Sequence, residues 1–213
     1  DALPICHDVA ILEGSNRIGK KILTTGNGRC NITNKNIVSP YLTYHSEDSK
    51  LFNAVLDSFT VEDTISTFYS MGLPLTLLDH GKMYPMSLQS TSVLDILRMS
   101  LDDKAIPIYL ENKVTKITPS KNGFSITSSS GESFTCKKLI LSTGGKSASK
   151  TGSDGSGYKL AESLGHKIIN TIPALVQLKL DYNNLKAMSG IKFDGKASIL
   201  VEDRRASCRE RVS

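Results

Sequence analysis

Several features are scarce or missing in this 213-residue chain. No apolar run reaches the ~18–20 residues needed to cross a bilayer, which excludes a helical membrane span in this sequence and with it a membrane partner. No charged-then-apolar signal segment opens the chain. It begins Asp-Ala-Leu-Pro rather than with Met, so we expect the true start to lie upstream. The four cysteines, Cys6, Cys30, Cys136 and Cys208, form no C-x-x-C pair, which argues against a zinc site. Their scatter suits reduced thiols in a cytoplasmic protein better than a disulfide framework. The basic residues Lys20, Lys21 and Arg29 have no aromatic neighbour. This argues against a base-stacking, single-stranded nucleic-acid surface. Net charge is +5, but residues 204–213 carry four Arg against one Glu, and the remainder is unremarkable for a soluble protein. Ala206-Ser207-Cys208-Arg209-Glu210-Arg211-Val212 follows a strand with no turn chemistry and resembles a translated sequencing adapter. Residues 204–213 are therefore expected to be a non-native tail that adds nothing to the fold.

What is present centres on Lys20 to Asn34, a stretch with no amphipathic period and too few apolar residues for a core element. Gly26 and Gly28 let backbone approach a ligand without a Cβ in the way. Successive N–H groups in such a loop make an anion-binding concavity. Upstream, His7 to Glu13 reads as a buried strand ending in a carboxylate. A strand, a terminal acid and a polar Gly loop together have the layout of a nucleotide site, although an isolated G-x-G is by default an ordinary surface loop. Gly14 to Lys21 matches G-x-x-x-x-G-K but has Lys21 where a Mg²⁺-holding Ser or Thr belongs, and no apolar helix follows. An NTPase phosphate loop is accordingly rejected. The better fit makes the strand at Val9 to Glu13 the second of a dinucleotide-binding βαβ unit, with Glu13 placed for a ribose hydroxyl. The G-x-G-x-x-G turn expected ~20 residues earlier would lie upstream of Asp1.

Further along, apolar spacing predicts helices over Leu51 to Phe59, Val61 to Tyr69 with Thr60 as N-cap and Gly72 as C-cap, and Ser90 to Asp102. Strands are predicted at Leu73 to Leu78, Ile106 to Leu110, Lys113 to Ile117, Gly123 to Ser128 and Ser133 to Cys136. Lys138 to Ser142 reads as a short strand buried on both faces of a parallel sheet, running into Thr143-Gly144-Gly145. A second Gly/Ser-rich stretch, Lys146 to Gly157, precedes a helix from Tyr158 to Leu164 capped by Gly165, and His166 to Asn170 is a further expected strand. Short strands from Pro173 on, clearest at Leu175 to Leu180 and Ala197 to Val201, suggest a new β-rich domain.

Three segments together resemble the BaiN/aminoacetone-oxidase-like family of FAD-dependent oxidoreductases. Leu12-Glu13 followed by Gly19-Lys20-Lys21-Ile22-Leu23-x-Thr25-Gly26-Asn27-Gly28-Arg29-Cys30-Asn31-x-Thr33-Asn34 is the first. Gly81-Lys82-Met83-Tyr84-Pro85-Met86-Ser87 is the second. Ser142 to Ser147, with Thr151-Gly152-Ser153-x-Gly155-x-Gly157-Tyr158 and Leu164-Gly165-His166, is the third. The resemblance spans roughly residues 9 to 201 in order.

The resemblance implies an α/β fold: a partial FAD/NAD(P)-binding Rossmann-like domain over residues 1–172, lacking its first βα unit and carrying a β-hairpin/meander region. Residues 173–203 would begin an inserted β-rich substrate domain. It also implies roles. Glu13 would bind the adenosine ribose. Lys20, Lys21 and the loop Thr25, Gly26, Asn27, Gly28, Arg29, Cys30 and Asn31 would lie along the FAD pyrophosphate and reach the flavin. Val114 would meet the adenine through its backbone, and Thr143, Gly144 and Gly145 would let the sheet edge approach the cofactor. The implied activity is hydride transfer between a small organic substrate and NAD(P)H or O₂ through FAD. The implied partner is a small molecule rather than nucleic acid. Since the flavin carries the hydride chemistry, no catalytic side chain is named. Cys30 reads either as a flavin-facing thiol or as a packing residue, with packing preferred in the absence of a partner cysteine. His80 and His166 read as turn and strand-start residues. The alternative from another class is a non-catalytic nucleotide- or RNA-binding module built on the Gly loops and basic residues.

Overall fold

The computed structural model describes residues 9–44, 46, 48–173, 183–190, 199–201 and 204–206. The chain divides into two units, Asp1–Asn170 and Thr171–Ser213. The first is mixed α/β, as the sequence suggested. Strand β1 (Ile11–Leu12) is short, with Val9 half exposed before it. The Gly loop follows as a kinked 3₁₀ segment, Ile22–Gly28, and leads into β2 (Thr33–Asn34). Helices α1 (Ser49–Ser58) and α2 (Val61–Ser70) come next, then a hairpin of β3 (Leu75–Leu77) and β4 (Lys82–Pro85), and then α3 (Ser90–Asp103). Strand β5 (Ile108–Tyr109) is followed by a meander of β6 (Val114–Ser120), β7 (Gly123–Ser128) and β8 (Ser133–Cys136), and α4 spans Ser156–Ser163.

The helix boundaries follow local chemistry. Asp48 accepts from Leu51 N at 2.9 Å to start α1. Thr60 and Asp63 form a full capping box at α2: Thr60 Oγ1 accepts from Asp63 N, and Asp63 Oδ2 accepts from Thr60 N at 2.8 Å. The far end of α2 closes through Leu73 N donating to Phe68 O at 2.8 Å, with Gly72 in the left-handed region.

The sheets are small and separate. Strands β1 and β5 pair in parallel, Ile11 with Ile108 and Leu12 with Tyr109. Strands β2, β4 and β3 form one antiparallel sheet, and β6, β7 and β8 another. Tyr109 of β5 meets Phe134 of β8 edge-on, with ring centroids 5.1 Å apart, which ties the parallel pair to the meander. Helix α4 packs against β6. In the second unit β9 (Ile199–Val201) pairs antiparallel with β10 (Arg204–Ala206). The first three residues of the expected tail thus enter a strand. Such a pairing needs only backbone groups and is indifferent to the tail's origin. The strand expected at Leu175 to Leu180 lies outside the described residues.

The main apolar cluster corrects one expectation. Cys30, Leu73 and Val93 are buried together, with Ile22, Ile32, Phe68, Leu75, Ile96 and Leu97 packed around them. The loop Lys20 to Asn34 therefore contributes three residues to the core. Its apolar side chains, at positions 22, 30 and 32, follow no helical or strand period. They are brought to one side by the backbone reversals between them.

Two expected strands do not form. Lys138 to Ser142 joins no sheet among the described residues, and Ile140 is 88% exposed. His166 to Asn170 is likewise irregular. An all-apolar run specifies burial but not a hydrogen-bond partner, and among the described residues no strand lies beside either segment.

Candidate functional site

The site is built where β1 ends. The Glu13 carboxylate turns back on its own chain, with Ser15 N donating to Glu13 Oε1 at 2.7 Å. The β5–β6 turn closes over it: Asn112 N donates to Glu13 O at 2.9 Å and Glu111 N to Ser15 O at 3.0 Å. Glu13 is half-buried and held in one orientation, with Oε2 left for a further donor.

From that turn the chain enters the Gly loop. Gly26 (φ 53°), Asn27 (φ 56°) and Gly28 (φ 80°) are three consecutive residues in the left-handed region, and Cys30 (φ 59°) is a fourth after Arg29. The reversal is fixed by Arg29 N donating to Gly26 O and Cys30 N to Thr25 O, both at 3.1 Å. Thr25 Oγ1 donates to Ile22 O at 2.7 Å. The two glycines differ in surroundings. A Cβ on Gly26 would sit 2.8 Å from Asn31 N and 3.2 Å from Tyr84 Cε1, whereas one on Gly28 would meet nothing within 4 Å. Gly26 is therefore needed by the fold, and Gly28 borders open space. Asn27, Arg29 and Asn31 are exposed, while the Cys30 side chain is buried in the core.

The second Gly-rich stretch comes from elsewhere in the chain. Lys21 Nζ donates to Ser147 O at 2.6 Å and also to Ser153 Oγ. A Cβ on Gly144 would lie 3.1 Å from Ser153 Cβ, one on Gly145 would lie 3.2 Å from Tyr158 Oη, and one on Gly157 would overlap Thr143 Oγ1. Thr143 to Gly145 thus lies against the start of α4. Lys113 Nζ pairs with Asp154 Oδ2 at 2.5 Å, and Ser156 N donates to Asp154 Oδ1 at 3.0 Å. The hydrogen bond from Lys113, then those from the Ser156 side chain and backbone, hold the Asp154 carboxyl well below the usual carboxylate range. Val114 lines an open cleft of about 530 Å³ together with Lys113, Lys146, Gly155, Tyr158 and Leu160. A second concavity of about 410 Å³, beside Leu77, Leu78 and Asp79, carries none of the expected residues.

The structure brings Lys21 to the second Gly-rich stretch at Ser147 and Ser153, seats Thr143, Gly144 and Gly145 against that stretch and the start of α4, and ties Glu13 to the β5–β6 turn that leads into Val114. Thr25, Gly26, Asn27, Gly28, Arg29, Cys30 and Asn31 form an adjoining loop seated on β4 and the core. Lys20 is half-buried between them in sequence. Four residues absent from the expected set, Lys113, Ser147, Ser153 and Asp154, do much of the assembling. The Gly/Ser composition of Lys146 to Gly157 marked their segment, but nothing local pairs Ser153 with a lysine 132 positions away. Among the described residues no group of three His, Cys, Asp or Glu is placed to hold a metal ion, and no helix is long and apolar enough to cross a membrane.

A 3-dehydro-bile acid delta(4,6)-reductase of Clostridium scindens is 42% identical over 193 residues, covering 91% of this chain and 46% of that protein. Ribosomal RNA dihydrouridine synthases of Escherichia coli and Haemophilus influenzae are each 26% identical. They cover 96% and 87% of this chain, and 50% and 47% of their own lengths. The chain therefore spans about half the length of the curated relatives it matches. The family model described as the HI0933-like protein Rossmann domain matches residues 5–203. On that match, and on the 42% identity beside it, the chain belongs to the HI0933-like Rossmann family, the group of the BaiN/aminoacetone-oxidase-like flavoproteins.

Proposed function

We propose that this chain carries one wall of the FAD site of a cytoplasmic oxidoreductase whose substrate is a small organic molecule. The observation that carries the reading is the loop Gly26 to Gly28. Three successive left-handed residues with open space at Gly28 follow, in sequence, a strand that ends in a fixed carboxylate, in a chain of a Rossmann family. A bound FAD would supply the hydride chemistry.

The chain's own residues bind and orient. Glu13 Oε2 accepts from a ribose hydroxyl while Oε1 stays on Ser15 N. The backbone N–H groups of Asn27 and Gly28 and the Arg29 guanidinium would face the pyrophosphate, the Arg29 N–H being held by Gly26 O. Val114 and the cleft beside it take the adenine end, with Lys20 and Lys146 adding positive charge. Thr143 to Gly145 forms the opposite lip. Cys30 contributes backbone only, since its thiol is in the core. The names of the relatives, a delta(4,6)-reductase and dihydrouridine synthases, both denote adding hydrogen across a carbon–carbon double bond. We place the present reaction in that class, with NAD(P)H as the reductant. The much higher identity to the bile-acid reductase favours a small cyclic enone over RNA as substrate.

The test is to purify the full-length protein, rather than these 213 residues alone, which we expect to be inactive, add FAD and record its absorbance spectrum. NAD(P)H oxidation is then followed under nitrogen with a steroid dienone or a uridine-containing RNA fragment. We expect a yellow protein and enone-dependent NAD(P)H oxidation. Failure to retain flavin would sink the proposal, and turnover of the RNA alone would replace its substrate.

A further inference from the structure

Lys21 is half-buried and sits in a basic run beside a Gly loop, where a phosphate ligand is the obvious role. Its ammonium, however, is committed. An ammonium has three donors, and two of Lys21's are used on the second loop, at Ser147 O and Ser153 Oγ. Ser153 is only 8% exposed, so Lys21 points into the protein. The segment it holds is costly to order, because Lys146 to Gly157 is rich in Gly and Ser. Ala148, Gly152 and Gly155 are all in the left-handed region. Only one other charged tether is seen on it among the described residues, Lys113 with Asp154.

We propose that Lys21 is a positioning residue: it pins the second Gly/Ser loop against the first and acts on the nucleotide through that loop, not as a phosphate ligand. The proposal rests on the FAD reading for its consequence, but the pinning itself does not. The two lysines divide the work. Lys21 fixes the loop at Ser147 and Ser153, Lys113 fixes it at Asp154, and Thr143 to Gly145 is left with one position against α4.

The experiment uses the full chain with Lys21→Met, Ser153→Ala and the double variant. The first readout needs no cofactor. Trypsin cleavage after Lys146 and Lys150, both exposed within the loop, follows the population in which the loop has opened. Losing hydrogen bonds from a charged donor is expected to raise cleavage in Lys21→Met by roughly tenfold or more. Ser153→Ala should raise it less, and the double variant should cleave no faster than Lys21→Met alone, because the two residues share one interaction. The second readout is FAD titration, in which the same non-additive pattern should reappear as weaker binding. Unchanged cleavage in Lys21→Met, or additive effects of the two substitutions, overturns the proposal. So does weaker FAD binding in Lys21→Met alone with Ser153→Ala silent, which is the signature of a direct phosphate contact. Should Lys21→Met fail to fold, Ser153→Ala alone decides: wild-type cleavage overturns the pinning. If no variant, nor the wild type, binds FAD, the functional reading falls while the cleavage data still judge the pinning.

Discussion

Gly26 and Gly28 are two residues apart and share a backbone conformation, yet they predict different phenotypes. Gly26→Ala must fit a Cβ 2.8 Å from Asn31 N as well as bear a left-handed alanine. We expect a loss of about 2–4 kcal/mol, read in urea melts. Gly28→Ala has only the conformational cost, about 1 kcal/mol. Its methyl would protrude into the space reserved above for pyrophosphate. Gly28→Ala is therefore expected to lose flavin while staying folded, and retention of FAD by that variant would argue against this placement. Cys30→Ser tests the other side of the same loop. A hydroxyl among Leu73, Val93 and Ile22 should cost about 1–3 kcal/mol, and the native thiol should react slowly with a thiol reagent. The sequence displayed both glycines but not this difference. Which of the two is crowded depends on how the loop folds back to bring Asn31 N against Gly26, with Tyr84 of β4, some sixty positions on, closing the other side.

Elements whose ends are set by neighbours in sequence were readable in advance. Thr60, Asp63 and Gly72 state the limits of α2 within a dozen residues, and the meander β6 to β8 is a matter of alternation and tight turns. Thr60→Ala should remove the reciprocal cap and about 0.5–2 kcal/mol with it, measured by denaturant unfolding. The strand expected at Lys138 to Ser142 was not readable, because a ladder requires a partner and an apolar run cannot name one. Helix α4 offers a pH test. Asp154 is held below its unfolded value by Lys113 and Ser156. It therefore contributes stability above the ordinary carboxylate pKa of about 3.9, and that contribution fades as pH falls through the depressed value. The stability difference between wild type and Asp154→Asn should be level above roughly pH 5 and close progressively below about pH 4. A difference that grew on acidification would contradict the pairing.

For the molecule as a whole, the fold class was legible, and the two Gly-rich stretches of the candidate site stood out because each is a local composition: glycines and hydroxyls, the first preceded by an acid at a strand end. Their meeting was not legible, since it depends on Lys21 and Lys113 reaching residues far along the chain. The bond between Lys21 and Ser153 spans 132 positions, and this bears on how the protein is made. A ribosome adding roughly 5–20 residues per second delivers Ser153 on the order of ten seconds after Lys21. The meander at residues 114–136 can form as it emerges, because its contacts are close in sequence. Once Leu73, Val93 and Leu97 have been made, Lys20 to Asn34 has the apolar partners it packs on, but its staple stays unmade until Ser147 and Ser153 follow. Arrested nascent chains ending short of Ser147 should therefore show native meander and loose nucleotide loops, and nucleotide capture should begin only once the second Gly/Ser segment has cleared the exit tunnel.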